Sequence, residues 1–130
     1  MFEKSTWIKL PRDVVVGHGV LDDLGAVVSG LSVAGRPLVV TSPTPNEIAG
    51  DRVRAALADA GPAPATAVVE RASFGAVDDL IDRARAEEAG YLVALGGGKP
   101  IDIAKMAADD LGLGFVAVPT AASHDGIVSG

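Results

Sequence analysis

The sequence predicts an α/β fold: a doubly wound, mostly parallel, Rossmann-like sheet with helices on both faces. Short apolar segments alternate along the chain with longer segments whose apolar residues recur at helical spacing. The strand-like segments are continuous apolar runs, as expected for parallel strands that helices cover on both faces. A chain of 130 residues has room for one domain with a single core, so we expect residues 1–130 to form one domain.

The amino-terminal half is predicted to run in the order strand, strand, helix, strand, helix. The first two strands are an extra edge strand within Trp7–Pro11 and the run Val14–Val16. Helical spacing over 21–31 predicts a helix. The next strand, Pro37–Thr41, is closed by a turn-rich stretch of Ser, Pro, Thr, Pro and Asn, and a helix over Ile48–Ala60 ends at the Gly-Pro pair that follows.

The carboxyl-terminal half continues the alternation. A weaker strand at Thr66–Val69 precedes a helix with an apolar face over Val77–Ala84. The strand Leu92–Leu95, a helix over Ile101–Leu111 and the strand Phe115–Val118 follow. In such sheets ligands bind beyond the carboxyl ends of the strands, so the segments after the last two strands are the first candidates for a site.

Composition excludes several classes of function. A formal net charge of −6 argues against nucleic acid as the main partner. We see neither a signal peptide nor a run of about 18 apolar residues, so we expect no membrane insertion. The absence of cysteine excludes disulfides and thiolate metal ligands, and fits a cytoplasmic protein.

The most informative stretch is Gly96-Gly97-Gly98-Lys99-Pro100, which joins a strand to a helix. Glycines let backbone N–H groups approach an anion closely, and the helix N-terminus attracts negative charge. Pro100 fits the first helical position, and Lys99 adds a cation that a structural turn does not need. Two of the four lysines, Lys99 and Lys105, flank the turn and its helix and are expected to reverse the local acidic field. An anion site is favoured, although glycine also occurs in ordinary strand–helix turns.

The glycine turn does not match the common nucleotide fingerprints. A Walker loop is rejected because Val93 and Pro100 occupy positions that it needs for glycine and for Ser or Thr. The Gly-x-Gly-x-x-Gly spacing fails at Ile101. Asp102 is interpreted as a carboxylate that caps the helix rather than as a metal ligand, and Lys105 as a solvated or subunit-facing charge.

A second motif follows the last strand, at 118–129. Thr120 and Ser123 offer hydroxyl groups, while His124 and Asp125 offer titratable ones. The alternative is a polar loop in which Ser123 or Asp125 caps a following helix.

Together, Gly96–Lys105 and Val118–Ile127 resemble the archaeal sn-glycerol-1-phosphate dehydrogenases, in the superfamily of glycerol dehydrogenase, dehydroquinate synthase and iron-containing alcohol dehydrogenase. The resemblance covers essentially the whole chain, and the Ser-His-Asp-Gly form of the second motif favours this family over glycerol dehydrogenases. It implies reversible reduction of dihydroxyacetone phosphate to sn-glycerol 1-phosphate with NADH or NADPH, for archaeal phospholipid biosynthesis. It also implies a homo-oligomer at full length.

The resemblance further implies roles for individual residues. Asp125 is expected to contact substrate and, with His124, to act in catalysis. The expected cofactor-binding residues are Gly96, Gly97, Gly98, Lys99, Pro100, Ile101, Asp102, Thr120, Ala121, Ala122, Ser123 and Ser129.

The resemblance also implies a catalytic Zn²⁺ held by an aspartate and two histidines in a helical carboxyl-terminal domain, which we expect to lie outside residues 1–130. We therefore expect no metal ligand within residues 1–130, and neither His18 nor His124 is assigned to zinc. The residues after Thr41 include no acid before Glu47, so weak discrimination between NAD and NADP is expected. Alternatives are a glycerol dehydrogenase, a dehydroquinate synthase-type enzyme, or a catalytically inactive nucleotide-binding module.

Overall fold

The computed structural model describes residues 7–9, 13–16, 24–29, 35–71 and 73–119. Six strands form one sheet in the order β1-β2-β6-β5-β3-β4. Only the β1–β2 pair is antiparallel, and the other four pairs are parallel. The strands are β1 Trp7–Lys9, β2 Asp13–Val16, β3 Arg36–Thr41, β4 Ala65–Val68, β5 Ala89–Gly96 and β6 Gly114–Pro119.

Helices connect the parallel strands. They are α1 Leu24–Ser29, α2 Pro43–Pro45, a π-helix Asn46–Gly50, α3 Asp51–Ala60, α4 Phe74–Ala86 and α5 Gly98–Leu111. Ser73 caps α4 by accepting a hydrogen bond from the Ala76 amide, and Gly112 ends α5 with a left-handed φ of 70°.

Helices cover both faces of the sheet. Alternate residues of each central strand point to opposite faces; in β5, Leu92 and Ala94 contact one layer, and Val93 and Leu95 contact the other. The first layer contains α4 and α5, and the second contains α1 and α3. The central strands are buried apart from residues at their ends. The strand order and the two helical layers confirm the doubly wound, mostly parallel fold, and β1 confirms the edge strand near Trp7.

One element boundary differs substantially from the sequence prediction. The segment after β3 was expected to be a turn, yet it is helical from Pro43 onward, with Ser42 as the N-cap. Prolines are tolerated there because the first-turn N–H groups have no partner within a helix. For the same reason Pro100 is tolerated as the third residue of α5. This helix begins at Gly98, two residues before the predicted start at Pro100.

Tyr91 is a buried polar aromatic residue of the sheet. It lies near the amino end of β5, is 4% exposed, and packs in the α1–α3 layer. Burial raises the pKa of its phenol above the ordinary value of 10.0 because the charged form loses hydration. Within the described ranges, none of the helices is long and apolar enough to cross a membrane.

Candidate functional site

The glycine turn lies at the switch point of the sheet. Strands β3 and β5 are neighbours, but the helix after β3 packs on one face and the helix after β5 packs on the other. From this pair the chain proceeds outward to β4 in one direction and to β6 in the opposite direction. A crevice forms at such a point, and ligands of doubly wound sheets bind there. The sequence placed the turn at the correct edge, and the topology places it at this crevice.

The surroundings of the three glycines differ, so the absence of a side chain has a different consequence at each position. Gly96, the last residue of β5, has φ +142°, and a Cβ there would lie 2.7 Å from Pro100 Cγ and 3.0 Å from Pro45 Cγ. A Cβ on Gly97 would meet no atom within 4 Å, and one on Gly98 would meet only Asp102 Oδ2, at 3.9 Å. Protein packing therefore requires glycine at Gly96 alone. The open space at Gly97 and Gly98 is what close approach of a ligand to backbone amides needs.

The amino end of α5 is available for an anion. Gly97 is the N-cap and supplies no side-chain acceptor to the helix amides. The first hydrogen bond of the helix runs from the Ile101 amide to the Gly97 carbonyl, at 3.4 Å. The amides of Gly98 and Lys99 precede it, so they have no acceptor within the helix. These donors and the helix dipole favour a phosphate or pyrophosphate.

The charged residues around the turn behave differently from the sequence interpretation. Lys99 Nζ donates to the Glu70 carbonyl at 2.9 Å, so the ammonium extends toward the carboxyl end of β4. Lys105 forms an ion pair with Asp109 at 3.2 Å and lies 6.0 Å from the centre of the Phe115 ring. The Lys105 charge is thus paired with Asp109 on α5, and its effect on the field at the turn stays a prediction.

Asp102 lies beside Gly98 on the exposed side of α5. No capping hydrogen bond to its carboxylate is found within the described ranges. The prediction that Asp102 caps the helix is therefore wrong, because α5 begins at Gly98, two residues before Pro100, and Asp102 lies in its second turn.

The segment after β3 forms the opposite wall of the crevice. Thr41 is fully buried, and its hydroxyl donates to the Ser42 carbonyl at 3.3 Å. Pro45 packs against Gly96, a contact that no sequence pattern indicated. The first acid of this wall, Glu47, is exposed in the π-helix. No carboxylate therefore precedes the π-helix where an NAD-specific ribose contact is usual.

The second motif begins at the end of β6, where the structure describes its first two residues, Val118 and Pro119. Pro119, the last residue of β6, is the register partner of Gly96, so the chain leaves the sheet beside the glycine turn. Residues Thr120, Ala121, Ala122, Ser123, His124, Asp125 and Ser129, and also His18, lie outside the described residues.

Within the described ranges, no group of three or more His, Cys, Asp and Glu side chains is placed to hold a metal ion. A groove of about 430 Å³ lies beside the edge strand β4 and the first turns of α4. Its lining includes none of the glycine-turn residues and carries both charge signs, from Glu70, Arg71, Asp79 and Arg83.

Comparison with known proteins points to one family. The model of the family described as iron-containing alcohol dehydrogenase matches residues 15–130. A curated relative from Halorubrum lacusprofundi, named glycerol-1-phosphate dehydrogenase [NAD(P)+], is 73% identical over the whole chain. A relative of the same name from Natronomonas pharaonis is 66% identical, again over the whole chain. The chain spans only 36% and 37% of the lengths of these two relatives.

Solved structures agree on the fold. The crystal structure of glycerol dehydrogenase from Schizosaccharomyces pombe matches with a TM-score of 0.72 and 22% identity. The match covers 85% of this chain and 28% of that one. At this identity the likeness establishes the architecture alone.

Proposed function

Because the chain belongs to the iron-containing alcohol dehydrogenase family, we propose that it forms the nucleotide-binding part of an NAD(P)-dependent glycerol-1-phosphate dehydrogenase. The observation that carries the proposal is the glycine turn at the switch point, with open space above Gly97 and Gly98. The names of the relatives support the substrate and the cofactor. The proposed reaction is reversible reduction of dihydroxyacetone phosphate to sn-glycerol 1-phosphate, which provides the glycerol backbone of archaeal phospholipids.

In this proposal the glycine turn binds the cofactor pyrophosphate. The amides of Gly98 and Lys99 donate to its oxygens, and the dipole of α5 stabilises its charge. The absence of a side chain at Gly97 and Gly98 lets the anion approach the backbone. When bound, the nicotinamide ring exchanges a hydride with the substrate carbon.

The remaining residues of the proposed cofactor site are Pro100, Ile101, Asp102, Thr120 to Ser123 and Ser129. Pro100 packs against Gly96 and so fixes the helix start relative to the strand. We assign Asp125 to substrate orientation, with His124 as a second catalytic group. Since no acid precedes the π-helix at the β3 wall, we propose that both NAD and NADP are accepted.

The described residues do not fit the zinc site that the family resemblance implies. We propose that its ligands follow residue 130, in the part of the relatives that this chain does not span, and we assign no proton or charge step to a metal here. Homo-oligomerisation and a cytoplasmic location belong to the same proposal.

A chimeric enzyme tests the proposal. This chain replaces the matching 130 residues of the Halorubrum lacusprofundi relative, and the chimera is assayed for oxidation of NADH and NADPH by dihydroxyacetone phosphate. We expect turnover with both cofactors, and the unmodified relative is the positive control. Oxidation of glycerol by NAD⁺, without reaction of dihydroxyacetone phosphate with NADH or NADPH, selects a glycerol dehydrogenase, and synthase activity selects the dehydroquinate alternative. Nucleotide binding without any of these reactions would support the alternative of a catalytically inactive nucleotide-binding module.

A further inference from the structure

We propose that Arg54 and Asn46 are positioning residues for the nucleotide site, because they hold the wall after β3 against the glycine turn. The inference rests on the proposed function and deepens it. Neither residue belongs to the two sequence motifs. Both lie on the segment that connects β3 to β4, on the opposite side of the crevice from the glycine turn.

The π-helix is the unusual element of this wall. Asn46–Gly50 forms a wider turn between the α2 turn and α3. Such π turns occur mostly as single-turn bulges inside α-helices and are frequent at functional sites. The Asn46 carboxamide folds back over Gly50, where a Cβ would collide with Asn46 Oδ1. Glycine at position 50 is therefore needed for this side-chain position.

Arg54 holds Asn46 in this position. Its Nη1 donates to Asn46 Oδ1 at 2.8 Å, and its Nη2 pairs with Asp51 Oδ1 at 2.8 Å. Nη1 also lies 3.4 Å from Thr66 Oγ1 on β4. The Arg54 side chain is 28% exposed, and its contacts with Asn46 and Thr66 are partly shielded from water, whereas the Asp51 side chain is fully exposed. One guanidinium thus connects the π-helix, the first turn of α3 and the edge strand, a geometry that the fork of arginine supplies and the single ammonium of lysine does not.

The connection reaches the glycine turn through Pro45. Asn46 follows Pro45 directly, and the Asn46 amide donates to the Ser42 carbonyl at 3.0 Å. Two Pro45 side-chain carbons lie 3.0 and 3.3 Å from the point that a Cβ on Gly96 would occupy, so the wall and the turn are in contact. A shift of Asn46 therefore moves Pro45 relative to Gly96 and changes the width of the crevice. Misplacement of about 1 Å in a site can cost about a hundredfold in activity.

The test uses the chimeric enzyme with Arg54→Met. We expect the KM and the dissociation constants for NADH and NADPH to rise by about tenfold with kcat nearly unchanged, since Arg54 touches neither reactant. The control is Arg85→Met, which removes an equal charge from the exposed last turn of α4. It should leave both constants unchanged. Asn46→Ala, which keeps Arg54 and its bond to Asp51, should change them in the same direction by less.

Separate results would overturn this inference and the proposed function. If Arg54→Met and Asn46→Ala lower the melting temperature but leave nucleotide affinity unchanged, the cluster is only structural and the inference is refuted. If Arg54→Met does not fold, Asn46→Ala tests the inference by itself, and unchanged nucleotide affinity in that variant refutes it. Failure of the unsubstituted chimera to bind either nucleotide refutes the proposed function first, and the inference with it.

Discussion

Alanine at Gly96 and alanine at Gly98 are expected to have opposite effects on stability. Gly96 has φ +142°, and its added Cβ would lie 2.7 Å from Pro100 Cγ. An unfavourable backbone conformation costs roughly 1–3 kcal/mol and overpacking roughly another 1–3 kcal/mol, so Gly96→Ala should lower the free energy of unfolding by about 2–6 kcal/mol. At Gly98, Ala gains helix propensity with no clash, so stability should stay equal or rise by up to about 1 kcal/mol.

Measurements of nucleotide binding are expected to distinguish Gly97 and Gly98 from Gly96. Gly97→Ala should leave the urea midpoint near that of the parent chain, and Gly98→Ala should leave it equal or raise it, measured by far-ultraviolet circular dichroism. In the chimera, each should weaken NADH binding by at least about tenfold, equivalent to about 1.4 kcal/mol, because the new methyl group occupies the space of the pyrophosphate. A Gly98→Ala variant that keeps full affinity would refute the proposed role of the turn. An unchanged urea midpoint for Gly96→Ala would refute the packing argument.

Three further predictions concern other residues. Since the pKa of Tyr91 is raised in the folded state, its contribution to stability is complete below about pH 10 and is lost as pH rises toward its folded-state pKa. Tyr91 is the single tyrosine of the chain, so the tyrosinate absorbance titrates this group alone, and a midpoint at or below 10.0 would contradict its burial. Ser73→Ala should lower the free energy of unfolding by about 1 kcal/mol by removing the α4 cap, whereas Ser73→Asp should retain most of it; equal urea midpoints would show that the cap is unimportant. Lys99→Met should change stability by less than about 0.5 kcal/mol because the side chain is exposed, yet weaken NADPH binding more at low salt than at high salt; a salt-independent affinity change would exclude a charge effect.

The fold was predictable because its signals are local. Continuous apolar runs such as Leu92–Leu95 predicted central parallel strands, and helical spacing predicted the helices between them. The boundaries were less accurate where proline was involved. The sequence predicted a turn at Pro43 and a helix start at Pro100. Pro43 is instead the first residue of α2, and Pro100 is the third residue of α5; at both positions the missing N–H costs no helical hydrogen bond.

The sequence by itself determined the alternation of strands and helices and the presence of a glycine turn before a helix, since both depend on neighbouring residues. Only the tertiary structure decided that β3 and β5 lie side by side, that Pro45 contacts Gly96, and that a side chain would clash at Gly96 but not at Gly97 or Gly98. These contacts join residues far apart in the chain, and their geometry depends on strand order. Lys99 shows the same limit: the sequence placed its charge beside the glycines, but its hydrogen bond to the carbonyl of Glu70, 29 residues away, exists only once β4 and α5 are packed.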